Sequence, residues 1–132
     1  MTTRDLQTVL DHYIECALWT SHDYRPESAE ESVPFDDWAS ADDIASTTLT
    51  QMREDVAAFI DDAASVDGAD SWSDEQLGHD FWLTRNGHGA GFWDRHFGDT
   101  REARAGEELT ELTNPYGECN LYTGDDGKVY AS

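Results

Sequence analysis

His79, His88 and His96 crowd into one stretch of the chain, with Asp80, Asp94 and Asp99 interleaved. Imidazoles beside carboxylates suit a transition-metal site or the acid and base of a small metal-dependent hydrolase. Three or four donors must then converge within about 2.0–2.2 Å of one ion. If the stretch forms a hairpin, His79 and His88 stand near opposite ends of one strand, roughly 25–30 Å apart at the strand rise, and cannot share an ion. His79 and His96 would lie at the same open end, with Asp94 as a third donor. His79, Asp94 and His96 are therefore the candidate ligand set. The competing interpretation is that they are ordinary hydrogen-bonded groups at strand ends. His12, within an apolar-faced helix, is expected at its boundary.

The second chemistry is charge. The chain has 132 residues with 29 acids against 8 basic residues, a net charge of −21, and Lys128 is its only lysine. Such a surface repels nucleic acid and anionic membrane, so direct phosphate binding is not expected. Residues 23–75 hold sixteen acids and two arginines, a local net of −14. Within them, Asp42, Asp43, Glu54, Asp55, Asp61 and Asp62 fall on a predicted helix and form the candidate interaction patch. Three explanations compete: carboxylates that stand in for phosphates and occupy a basic nucleic-acid-binding protein, solvation in a high-salt cytoplasm, and compositional drift in a high-GC genome. Ordinary solvation of an outer helix face is the bland alternative to all three.

Other signatures are missing. No serine elbow, phosphate-cradling loop or cysteine–histidine spacing occurs, and no cofactor is implied. Gly87, Gly89 and Gly91 have phosphate-loop spacing but lead into Phe92 and Trp93 rather than into a helix. Aromatic rings near Arg85 and Arg95 suit base stacking, which the net charge opposes. Cys16 and Cys119 lie far apart and read as small buried hydrophobes. With no apolar run of membrane length and no leader-like N-terminus, the expectation is a cytoplasmic protein.

The elements that must position these residues follow from periodicity. Leu6, Val9, Leu10, Tyr13, Ile14, Ala17 and Leu18 give a helix over 3–19, with Thr3 as its cap and Cys16 and Trp19 flanking the apolar face. Residues 20–39 are a long loop, pinned at its end by Val33, Phe35 and Trp38. Ser40 caps a helix over about 41–64 with Ile44, Thr48, Met52, Val56, Phe59, Ile60 and Ala63 inward. Ser73 to Gln76 reads as a single capped turn. The aromatic runs on either side of Asn86-Gly87-His88-Gly89 then read as a β-hairpin over about 80–95. The preferred register sets Leu83 opposite Phe92, Trp82 opposite Trp93 and Asp80 opposite Arg95; the alternative sets Phe81 opposite Phe92. A helix over 101–113, with Gly106 as its weak point, ends at Asn114-Pro115. A second hairpin over about 118–131 turns at Gly124–Gly127. The expected fold is a single α+β domain over 1–132, with a four-stranded antiparallel sheet covered by three helices.

One resemblance adds to this. His79-Asp80-Phe81-Trp82-Leu83-Thr84-Arg85-Asn86-Gly87-His88-Gly89-Ala90-Gly91-Phe92-Trp93-Asp94-Arg95, followed by Asn114-Pro115-Tyr116-Gly117 and Leu121-Tyr122 with Asp125–Tyr130, resembles a group of small uncharacterised proteins of tailed bacteriophages and related viruses. It covers about residues 73–131. The resemblance implies a non-enzymatic accessory protein, carries no catalytic residues to transfer, and places the protein in a host cytoplasm. The expected partner is a basic host protein that binds DNA or RNA.

Overall fold

Helix α1 spans Leu6–Thr20 and begins where Asp5 accepts a hydrogen bond from the Gln7 amide at 3.1 Å. The cap is thus Asp5, while Thr3 lies outside the residues that can be described. The structure, a computed structural model, describes residues 4–23, 33–87, 91–92 and 98–132. Val9, Leu10, Tyr13, Ile14, Ala17 and Leu18 are buried as their spacing requires, and Cys16 joins them. Trp19 does not: it stands 60% exposed.

After α1, β1 (His22–Asp23) pairs antiparallel with β2 (Val33–Pro34). The chain then makes a 3₁₀ turn at Phe35–Asp37 that buries Phe35 completely. Ser40 caps as expected, in a capping box with Asp43, but only for a 3₁₀ turn at Ala41–Asp43. The predicted helix over 41–64 is interrupted at Ile44–Ala45, because Ile44 bridges Val129 and the Ala45 amide donates to the Val129 carbonyl at 2.9 Å. Helix α2 starts after that break and runs Ser46–Ala63, with Thr48, Met52, Val56, Phe59 and Ala63 buried.

The largest departure from expectation follows. Residues Asp74–Arg85 form helix α3, so the hairpin over 80–95 does not exist and neither of its registers can form. Ser73 accepts from the Gln76 amide at 3.1 Å, and Asp74 and Glu75 occupy the first turn, where a helix dipole favours negative charge. The sequence carried this start signal, but the helix runs on for three turns. Gly87 has φ of 63° and its amide donates to the Thr84 carbonyl at 3.2 Å. Asn-Gly therefore closes a helix rather than turning two strands.

Helix α4 spans Arg101–Thr113, the predicted bounds, and Thr100 caps it by accepting from the Ala103 amide at 3.0 Å. A 3₁₀ turn at Asn114–Tyr116 carries the chain to β3 (Leu121–Thr123) and β4 (Val129–Ala131), the antiparallel C-terminal hairpin. The described residues thus give a mostly helical α+β fold. In place of the four-stranded sheet there are two separate strand pairs.

Helix α3 lies along α1 and is buried on nearly every side. Gly78 makes this approach possible, since a Cβ there would run into the Val9 carbonyl. The core is aromatic: Phe59 stacks on Phe81 at 4.1 Å and on Phe92 at 5.5 Å, while Tyr13 meets Phe81 edge-on at 5.3 Å. In α4, Gly106 admits the backbone of Phe92, whose carbonyl lies 2.6 Å from where a Cβ would sit. The residue that looks weak for helix propensity is a packing requirement.

Candidate interaction surface

The six predicted carboxylates do not act as one face. Asp42, Glu54, Asp61 and Asp62 are exposed. Asp43 accepts from the Ser40 amide at 2.8 Å and is occupied as a cap. Asp55 accepts from Gln51 Nε2 at 2.9 Å and from Arg85 Nη1 at 3.1 Å. Seven-residue spacing puts Glu54 and Asp61 on one line of α2 and Asp55 and Asp62 on a neighbouring line. The first line faces solvent; on the second, Asp55 turns to Arg85, and Asp62, though exposed, hydrogen-bonds Tyr116.

Arg85 is the centre of that inner side. Its side chain is 6% exposed. It donates from Nε to the Gly117 carbonyl at 2.9 Å, from Nη2 to the Tyr116 carbonyl at 2.9 Å, and from Nη1 to Tyr13 Oη at 2.8 Å, besides the bond to Asp55. The guanidinium also lies over the rings of Phe81 and Tyr116, at 5.7 and 5.8 Å. The aromatic–arginine proximity noted in the sequence is therefore an internal tie between α3, α1, α2 and the segment after α4. Burial pushes the Tyr13 phenol above its ordinary range, with Arg85 opposing. Burial also raises the Cys119 thiol, again opposed by Arg85, and raises Tyr116, where Asp62 and Asp55 add to the effect. Burial alone would lower Arg85, but Tyr13, Cys119 and Asp55 hold it above its ordinary value.

The rest of the aromatic run is architectural in the same way. Thr84 Oγ1 accepts from the Phe92 amide at 3.2 Å, and Asn86 donates to the Trp82 carbonyl while accepting from the Cys119 amide at 2.8 Å. Asp80 is fully buried and accepts from Trp72 Nε1 at 2.9 Å.

Of the predicted metal set, His79 lies on α3, with its ring 6.4 Å from that of Trp19 and Nδ1 3.9 Å from Asp80. Asp94 and His96 lie outside the described residues, as does His88. Because residues 74–85 are helical, the strand end that grouped His79 with them is absent. Among the described residues no cluster of three metal-ligating side chains occurs. His12 sits at the edge of α1 as expected, 3.7 Å from Glu15. Cys16 is buried and Cys119 half-buried, and they form no disulfide.

The described structure gathers a set of acids that the sequence reading did not single out. Asp11 and Glu15 of α1 and Asp36 of the 3₁₀ turn rim a groove of about 380 Å³. Ile14, Leu18 and Ala39 form its floor, and Trp19 is one wall. The signal was present as the four-residue spacing Asp11, Glu15, Trp19 along one stripe of α1. What it lacked was Asp36, which only the tertiary fold brings opposite.

Comparison with known proteins leaves the chain alone. No family model, curated protein or solved structure matches it. No helix of the described residues is long and apolar enough to cross a membrane.

Proposed function

We propose that this protein is a non-enzymatic accessory protein whose carboxylates engage a basic host protein that binds nucleic acid. The observation that carries this reading is how the cations are used. Arg4 pairs with Asp74, Arg85 with Asp55, Arg101 with Asp67 and Asp70, and Arg104 with Asp99. These four arginines serve internal or local contacts, while Asp11, Asp36, Asp42, Glu54 and Asp61 face solvent. A surface of that sign steers basic partners and weakens with salt.

The test is binding to a purified basic DNA-binding protein at several salt concentrations, with duplex DNA as competitor. The affinity should fall steeply with salt, DNA should compete, and the triple variant Asp42→Asn, Glu54→Gln, Asp61→Asn should bind several-fold more weakly. Failure to bind at low salt ends the mimicry reading.

A second reading is supported by the spread of the acids. Exposed carboxylates also occur on α4 (Glu107, Glu108, Glu111) and at the C-terminal turn (Asp125, Asp126), as adaptation to a salty solvent requires. Under that reading the unfolding temperature climbs steeply up to molar salt. Under charge mimicry it levels off once repulsion is screened, near physiological ionic strength.

A further inference from the structure

We propose that the groove between α1 and the Phe35–Ala41 segment is a docking site for a basic peptide segment of a protein partner, one that carries an aliphatic anchor residue between lysines or arginines. This rests on the binding role proposed above and adds to it a place and a recognition chemistry.

Three features of the groove argue for that occupant. Its floor is apolar, formed by Ile14, Leu18 and Ala39, and its volume of about 380 Å³ lies in the range that holds a few side-chain-sized groups. Among the described residues its charged rim groups are the carboxylates Asp11, Glu15 and Asp36, so an anionic or purely apolar ligand is selected against. Its wall is Trp19, 60% exposed, a large aromatic surface that α1 does not turn into the core. Tryptophan in that setting is the residue type that most often dominates a binding interface. A lysine or arginine can lay its aliphatic stem and cationic head against the indole while the rim carboxylates pair with the charge. An aliphatic neighbour then fills the floor. A second copy of this chain is the wrong occupant, because a net charge of −21 repels its own kind and the rim would face like charge.

The experiment titrates the full-length protein with two fluorescent synthetic peptides of equal positive charge. One has two leucines between flanking lysines and arginines; the other has serines in their place. At low salt the leucine peptide should bind at least roughly ten-fold tighter, since burying one such side chain is worth at least that factor. Trp19→Ala, which removes the wall that both the cation and the aliphatic anchor pack against, should weaken both peptides, the leucine peptide more, and so close the margin. Glu15→Gln with Asp36→Asn should weaken both peptides by roughly three-fold or more, as partly exposed ion pairs do. Urea unfolding of each variant confirms that it still folds.

Equal affinity for the two peptides, or a margin that survives Trp19→Ala, overturns the groove and leaves general charge capture standing. Absence of binding by either peptide at low salt removes both. Concentration-dependent dimerisation that Trp19→Ala abolishes would make the groove a self-interface and overturn the proposal. So would peptide binding that emerges only after residues 24–32 are replaced by a glycine–serine linker, since the occupant would then be the chain itself.

Discussion

Replacing Arg85 by methionine keeps an unbranched side chain over the aliphatic part of its length and removes every donor. The cost can be worked from its contacts. Two backbone carbonyls, Tyr116 and Gly117, lose their donor, and so do the Tyr13 hydroxyl and the Asp55 carboxylate. A buried acceptor left without its partner costs about 1–3 kcal/mol, and breaking a fully buried ion pair costs about 3–5 kcal/mol. Gly117 is exposed and the Asp55 side chain is 20% exposed, so water replaces part of what is lost. The lower end applies, about 3 kcal/mol, against a total stability of roughly 5–15 kcal/mol. With a urea slope of about 2 kcal/mol per molar, the midpoint should fall by about 1.5 M at unchanged slope. Arg85→Lys should recover only about 1 kcal/mol of the loss, because an ammonium reaches one or two of the four acceptors that the planar guanidinium serves together. Arg101→Met, which removes exposed ion pairs to Asp67 and Asp70, should leave the urea midpoint where it is in the native chain. If Arg85→Met unfolds within about 1 kcal/mol of native, or Arg85→Lys is native-like, Arg85 is not the tie between these elements and the account of the core's polar edge is wrong.

The raised phenols and thiol fix a pH dependence. Tyr13 and Tyr116 lie above their ordinary value of 10.0 and Cys119 above 9.0, so above about pH 9 the unfolded chain releases protons that the folded chain keeps, and stability should fall as pH rises. Tyr13→Phe should cost about 1–2 kcal/mol at neutral pH yet flatten that alkaline decline; an unchanged slope in urea melts between pH 8 and 11 would contradict the assignment. Gly78→Ala should push α1 and α3 apart and destabilise by about 3 kcal/mol, while Gly98→Ala, where a Cβ meets nothing and only the φ of 86° is strained, should cost less than half as much in the same thermal melt. Trp72→Phe keeps an aromatic ring but removes the indole donor to buried Asp80, and should lower stability by about 1–3 kcal/mol in urea titration.

Local sequence alone determined the elements whose faces are one-sided. In α1 and α4, and in the C-terminal hairpin, apolar spacing and a capping or turn residue agree with one another, so the outlines were legible. The Ser73 cap was legible too, but not how far its helix runs. Helix α3 carries buried residues on almost every side, which erases the 3.6-residue rhythm that marks a helix. Asn86-Gly87 misled for a related reason: a left-handed glycine serves a helix end and a hairpin turn equally well, and only the neighbours decide between them. Here the neighbours are Tyr13, Asp55 and Gly117, which Arg85 reaches across 72, 30 and 32 residues of chain. The break at Ile44–Ala45 is likewise imposed by Val129, and the acidic groove exists because Asp36 is brought opposite Asp11 and Glu15. Hydrophobic periodicity and capping act over one or two turns and are written locally. Partnerships between distant side chains depend on how the elements pack, so the tertiary structure alone decided them.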